Sequence, residues 1–278
     1  MLKQRVITAL VLLAVLLPAL FAPVAWPFAV LTLVLIGAGG WEWARLNGVA
    51  GGAALALGVA LAGACGLALW LGWAGAAPAA VWWLATLVWV LGGVWALKVG
   101  PAGWPRLSQV LRCALGLVAL WTAWLALANA KSTGINFILS IFCLVWAADI
   151  AAYFGGKRFG RRKLAPAISP GKSWEGVWSG MLGVLLLSML WLWIDRSFGV
   201  DSASLYTVLH ARLGPVGLVL ALLFLAAMSV VGDLVESLSK RSAGAKDSSN
   251  LLPGHGGVLD RIDALLPVFP LALAMSSL

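Results

Sequence analysis

Apolar residues fill this chain in blocks about as long as a bilayer is thick, separated by short polar breaks. The blocks lie near residues 6–22, 27–45, 51–73, 79–97, 109–129, 135–156, 175–194, 213–239 and 259–277. A helix needs about 20 predominantly apolar residues to cross a hydrocarbon core of about 30 Å. Each block is continuous, whereas barrel strands alternate apolar and polar residues. The pattern therefore predicts an all-α, polytopic helical membrane protein with about nine transmembrane helices. An irregular stretch around Pro23 and Pro27 would lower the count to eight. The basic-then-apolar opening also resembles a signal peptide. It runs almost directly into the second block, so the expectation is a retained first helix.

Composition agrees with the pattern. Of 278 residues, 62% are hydrophobic and 10% charged, against about 25% charged in an ordinary soluble domain. The longest polar intervals, roughly 157–174 and 239–258, are too short for a separate soluble domain, so one membrane domain is expected. Cys65, Cys113 and Cys143 are odd in number and widely spaced, which suits apolar packing and neither a disulfide framework nor a metal site. Trp41, Trp43, Trp104, Trp174 and Trp193 fall near predicted helix ends, where an interfacial aromatic belt is expected.

Charge sets the orientation. With a cytosolic N-terminus and nine spans, sixteen basic residues, Lys3 and Arg5 among them, fall on the cytosolic side. Only Lys131, Arg196 and Arg212 fall on the other. That is a strong positive-inside bias. The net charge of +9 is thus mainly a topology signal, and no aromatic-interleaved basic module points to nucleic acid.

The ten acidic residues are more informative. Asp149, Asp233, Glu236, Asp260 and Asp263 lie inside predicted spans or at their mouths, where a carboxylate costs about 2.5–3.5 kcal/mol unless a cavity, partner or metal receives it. At about 1.5 Å rise per residue, Asp149 lies ~12 Å and Asp233 ~10 Å from the cytosolic ends of their helices. Asp260 opens the last block from the same side. Asp233, Glu236, Ser237 and Lys240 form one helical stripe, and Asp260 and Asp263 share a face. Two such stripes at one depth suit a common site. An ion-pair network between helices, such as Asp260 with Lys240, is the plainer alternative. It leaves the excess of carboxylates and the neighbouring glycines unexplained.

Two polar loops flank these spans. The first, "GGKRFGRRKLAPAISPGKSWEG", carries six Lys or Arg beside glycine and serine, a composition suited to polyphosphate or to anionic headgroups. Its "GKS" is not a phosphate-binding P-loop: position 166 is proline where that motif needs glycine, and no strand is expected before it. The second, "SLSKRSAGAKDSSNLLPGHGG", offers Lys240, Arg241 and Lys246, then Asp247, Asn250 and a glycine-flanked His255. Carboxylates beside cationic loops fit Mg²⁺ with phosphate. From the residues alone, the chain reads as a membrane enzyme acting on phosphates at the cytosolic face. A transporter is the competing class, disfavoured because the outer halves of spans 213–239 and 259–277 are almost free of polar residues.

The run Ser237–Asp263 resembles the signature of the phosphatidate cytidylyltransferases: Ser, any residue, an apolar residue, Lys-Arg, four residues, Lys-Asp, a spacer, His-Gly-Gly, and Asp-Arg-apolar-Asp two residues later. Each position matches except the apolar slot, which is Ser239 here. "GDLVES" (232–237) and "SPGKSWEG" (169–176) resemble family segments too, and the likeness covers roughly residues 135–270. The resemblance implies a helical membrane fold with a cytosol-facing polar cavity open sideways to lipid. It implies transfer of CMP from CTP to phosphatidic acid, giving CDP-diacylglycerol and pyrophosphate, with Mg²⁺ and a monovalent cation such as K⁺ admitted beside it.

By resemblance, Asp233 and Asp260 match metal-binding positions, and Ser237 and Lys240 match the phosphate site. Lys172, Arg241, Lys246 and Arg261 are expected to share phosphate charge, and His255 to bond a phosphate or orient Asp260. Asp263 is expected to hold Arg261 or a supporting position, with Asp149, Glu236, Asp247 and Asn250 around the cavity. On this reading residues 131–278 form the catalytic region and 1–130 a scaffold in the inner membrane. Transfer to another lipid phosphate is the alternative within the same reaction class. Gly176-x-x-x-Gly180 suits close packing within or between chains, so no homodimer is read from it.

Overall fold

A computed structural model of the chain describes residues 2–278, with side chains from Ile7 onward except at Ala9. Lys3 and Arg5, counted above on the cytosolic side, lie outside those described side chains. The helices are α1 (Leu2–Phe21), α2 (Trp26–Leu46), α3 (Gly51–Trp70), the short α4 (Trp73–Ala76), α5 (Ala79–Gly103), α6 (Gln109–Thr133), α7 (Ile135–Phe159), α8 (Trp174–Ser197), α9 (Leu205–Ser242), α10 (Leu259–Ile262) and α11 (Leu265–Ser276). Seven of them, α2, α3 and α5 to α9, are long and apolar enough to cross a membrane. The all-α polytopic expectation stands at that level. One departure is a two-stranded antiparallel ribbon in the first polar loop, β1 (Lys163–Ala165) with β2 (Ser169–Ser173).

The last predicted span differs most. It is broken after α10, and α11 has only 12 residues, about 18 Å at helical rise and short of a hydrocarbon core. Every residue from Leu266 to Ala274 is buried. α11 packs against α5, α6, α7 and α9, so it fills the bundle's centre instead of facing lipid. Its approach to α9 is close. A Cβ on Gly232 would collide with the Asp263 carbonyl oxygen and come within 2.8 Å of the Pro267 ring. Overpacking of this kind costs about 1–3 kcal/mol. Gly232→Ala is therefore expected to lower the melting temperature in detergent, and an unchanged melt would show that the α10–α11 junction moves freely.

Two helices are interrupted by the same pair of residues. Gly100 (φ 67°) precedes Pro101 in α5, and Gly214 (φ 68°) precedes Pro215 in α9. A residue before proline is pushed out of the helical region, and only glycine takes positive φ without strain. The helix restarts on the proline, whose missing N–H is no loss at a first turn. This places the start of the long apolar part of α9 near the expected residue 213.

The interfacial belt is corrected in part. Trp174 and Trp193 are exposed at helix ends. Trp43 and Trp104 instead are buried against one another, ring centroids 6.2 Å apart. Their indole N–H groups donate to the Arg112 carbonyl (2.9 Å) and to Asn47 Oδ1 (3.0 Å). Gly176, Gly180 and Gly183 of α8 lie against Ala152, Ala148 and Ala151 of α7, so the Gly-x-x-x-Gly pair serves an intramolecular contact.

Candidate active site

The site gathers where α7, α9, α10 and the two polar loops meet. The ribbon β1–β2 carries Lys172 inward, and Ser173 caps α8 by accepting from Gly176 N (3.2 Å). A strand therefore does precede "GKS", contrary to expectation. Pro166 still excludes a P-loop, and the serine's role is that of a helix cap. Glu175 folds the same loop back by accepting from Arg161 N (3.0 Å) and Arg162 N (3.1 Å).

Lys172 Nζ lies 2.8 Å from Asp233 Oδ2, and Ser237 Oγ donates to Asp233 Oδ1 (3.3 Å). Lys172 and Asp233, with Asp149, Tyr153, Lys157 and Ser169, line a cleft of about 460 Å³ between α7, α8, α9 and β2. One helical turn and more along α9, Lys240 Nζ sits 2.6 Å from Asp260 Oδ1 and 2.6 Å from Glu236 Oε2. The contact with Glu236 is an ion contact outside hydrogen-bond alignment, and both Glu236 oxygens lack a hydrogen-bond donor.

Asp260 is held from two sides. Its Oδ2 accepts from Ser248 N (2.9 Å), Ser248 Oγ (2.8 Å) and Gly257 N (2.8 Å). Only Oδ1 is left to face a cation, and an ammonium occupies that position here. The network between helices foreseen as the plainer alternative thus exists. It coexists with the cleft at Asp233 and uses one oxygen of each aspartate.

Other expected roles change. His255 does not orient Asp260, since Ser248 and Gly257 take that place; its Nδ1 is buried without a partner. Asp263 makes no ion pair with Arg261 and instead accepts from Ala264 N (2.8 Å), while Arg261 is exposed. Arg241 ties the loops together through the carbonyls of Ile168 and Ala245, both at 3.4 Å. Lys246, Asp247 and Asn250 are exposed, with no side-chain hydrogen bond among the described residues. Ser239 is fully buried, as the family's apolar residue would be, and its hydroxyl is unpaired.

Sequence reasoning missed Glu42 and Ser248 altogether. Glu42 is fully buried on α2, in the half read as scaffold, and bonds the 248–259 loop. Its signal was available: a lone carboxylate between two tryptophans in an apolar helix.

The donor set suits a hard cation. Mg²⁺ takes oxygen ligands, commonly one or two carboxylates with substrate phosphates. Asp233 and Asp260 each present one oxygen that already tolerates a positive charge. Among the described residues no three His, Cys, Asp or Glu side chains converge on one point, so such an ion would need substrate oxygens to complete its shell.

Residues 3–278 match the model of the cytidylyltransferase family. The chain belongs to that family. It is 42% identical to a phosphatidate cytidylyltransferase of Pseudomonas aeruginosa, over 99% of this chain and 97% of that protein. It is 35% identical to one of Haemophilus influenzae, over 97% and 96%. A chloroplastic phosphatidate cytidylyltransferase 5 of Arabidopsis thaliana is 37% identical over 63% of this chain and 41% of its own length. The family match includes α1 to α6, which the resemblance in the sequence had left out.

Proposed function

We propose that the protein is a phosphatidate cytidylyltransferase working at the cytosolic face of the inner membrane. CTP and phosphatidic acid give CDP-diacylglycerol and pyrophosphate. The observation that carries this reading is the aspartate–lysine cluster built from the signature run and the two family-like segments beside it: Asp233 with Lys172, and Asp260 with Lys240, drawn from three separate elements. Near-full-length similarity to relatives of that name supports the choice of substrates.

The chemistry asks little of a general base. A phosphatidate phosphate is already anionic at neutral pH. One of its oxygens attacks the α-phosphorus of CTP, and the bond from that phosphorus to the α,β-bridging oxygen breaks, releasing pyrophosphate. The obstacle is repulsion between two polyanions, so positioning and charge neutralisation dominate. Lys172 has three donors and one ion partner, so it holds Asp233 and a phosphate oxygen together. Exposed Lys246 and Arg261 supply further charge at the rim. Arg241 keeps the two loops in register, and His255, whose Nδ1 is buried, would bond a phosphate through Nε2. Asp233 and Asp260 would hold Mg²⁺, with K⁺ as a companion cation. When bound, Mg²⁺ would neutralise the α-phosphate and the leaving pyrophosphate.

The location suits both substrates. Lipid tails remain in the bilayer beside α7 and α9 while CTP enters the cleft from water. Counting α1 with the seven long helices gives eight crossings, after which α10 and α11 enter the bundle from the cytosolic side; the N-terminus and the site then lie together on the cytosolic, lysine- and arginine-rich side. A transporter would need a polar path onward through the bundle. Leu218, Ala221, Leu222 and Leu225 of α9 and all of Leu266–Ala274 in α11 are buried and apolar instead.

The test is direct. Purified protein with Mg²⁺, labelled CTP and phosphatidic acid is expected to form labelled CDP-lipid, and to stop on chelation by EDTA. Absence of labelled lipid at every phosphatidic acid concentration would remove the proposal. Asp149→Asn, at the cleft wall with no close ion partner, is expected to reduce turnover less than Asp233→Asn. Complete loss in Asp149→Asn would make it a direct ligand.

A further inference from the structure

We propose that Glu42, on α2, is a positioning residue for this transfer, acting on Asp260 through the loop 248–259. The inference rests on the nucleotidyl-transfer reading above.

Glu42 is fully buried. Its Oε1 accepts from Ser249 Oγ (2.5 Å) and Val258 N (2.9 Å), and its Oε2 from Leu259 N (2.8 Å) and Ser248 Oγ (3.2 Å). All four donors come from one loop, more than 200 residues further along the chain. Two lie on its outgoing limb and two on its returning limb. One carboxylate therefore closes the loop as a clasp. No lysine or arginine pairs with it among the described residues. A carboxylate buried without a cation needs its full complement of donors, so the loop and Glu42 hold each other in one arrangement.

The clasp reaches the site in a single step. Ser248 Oγ touches Glu42 on one side and Asp260 Oδ2 on the other (2.8 Å). The hydroxyl has one proton, so it donates to one carboxylate at a time, while Ser248 N keeps its own bond to Asp260. Gly257, whose N–H also bonds Asp260, passes so near that an added Cβ would strike Glu42 Oε1 and Ser248 Oγ. Both groups that fix Oδ2 of Asp260 are thus set by Glu42. Neither the carboxylate nor its loop partners touch the cleft at Asp233. Glu42 shapes the site without meeting substrate.

The experiment compares the full chain with E42Q and with Ser249→Ala in detergent. It measures kcat and KM per folded molecule for CTP and phosphatidic acid. It also measures amide hydrogen exchange across residues 248–260, α9 and α11. E42Q keeps the volume of the side chain but replaces one acceptor with a donor. The expected result is a fall in kcat of about 100-fold, the scale of a misplaced catalytic group, with both KM values near those of the parent. Exchange should quicken in 248–260 only. Ser249→Ala, which removes one of the four bonds, should shift both readouts the same way by less. Unchanged kcat in E42Q overturns the proposal. So does activity lost only together with protection throughout α9 and α11, which marks a purely structural residue. If E42Q does not fold, unchanged kcat and exchange in Ser249→Ala overturn it. A parent protein that forms no CDP-lipid overturns the functional reading, while the exchange result still decides the clasp.

Discussion

Asp260→Asn is expected to lower turnover by about 100-fold or more, at least the loss seen when groups supporting a metal site are removed, while the bundle stays inserted and folded. The geometry says why an isosteric change is so costly. Three donors converge on Oδ2, so the amide oxygen of asparagine must take that place. Its NH₂ then points at Lys240, where an oxygen now lies 2.6 Å from the ammonium. A donor faces a cation, and the one oxygen proposed for a metal is lost. Labelled CDP-lipid formation and a detergent melt on the same preparation check this. Turnover close to that of the parent would take Asp260 out of the catalytic machinery.

Lys240→Met is expected to cost both activity and stability. The ammonium is the shared counter-ion of Glu236 and Asp260, whose side chains are 2% and 6% exposed, and is itself 12% exposed. Removing one partner of a buried ion pair typically costs about 3–5 kcal/mol, because the remaining charge has no water to turn to. Glu236 suffers most, having no hydrogen-bond donor of its own. A second change, Glu236→Gln, removes that stranded charge. It is therefore expected to restore much of the melting temperature to Lys240→Met without restoring turnover, since Asp260 stays unpaired. A Lys240→Met protein with a parental melt would show that water already reaches the pair.

How far the chain could be read without coordinates depended on the range of each interaction. The positions of α2, α3 and α5 to α8 follow from continuous apolar runs, a local property. The face shared by Asp233, Glu236, Ser237 and Lys240 follows from helical spacing, also local. Contacts across the fold left fainter traces. Nothing near Asp260 says that Ser248, twelve residues earlier, takes its second oxygen, whereas His255 is nearer and more conspicuous in the sequence. Trp43 and Trp104 have the character of interfacial residues, and only the packing of α2 against α6 and against the turn at 104–106 shows them turned inward. The break before Leu265 was hidden because an apolar run looks the same whether lipid or protein surrounds it.

That break has a bearing on how the molecule comes into being. The helices that enclose α11, namely α5, α6, α7 and α9, are all synthesised ahead of it. Until it arrives the surfaces they bury against it have no partner from α11. Seating this short plug draws the preceding turn, with Asp260 and Asp263, against α9. A nascent chain therefore carries these walls of the bundle before Asp260 and Asp263 are in place, and assembly of that carboxylate cluster waits on the docking of α11.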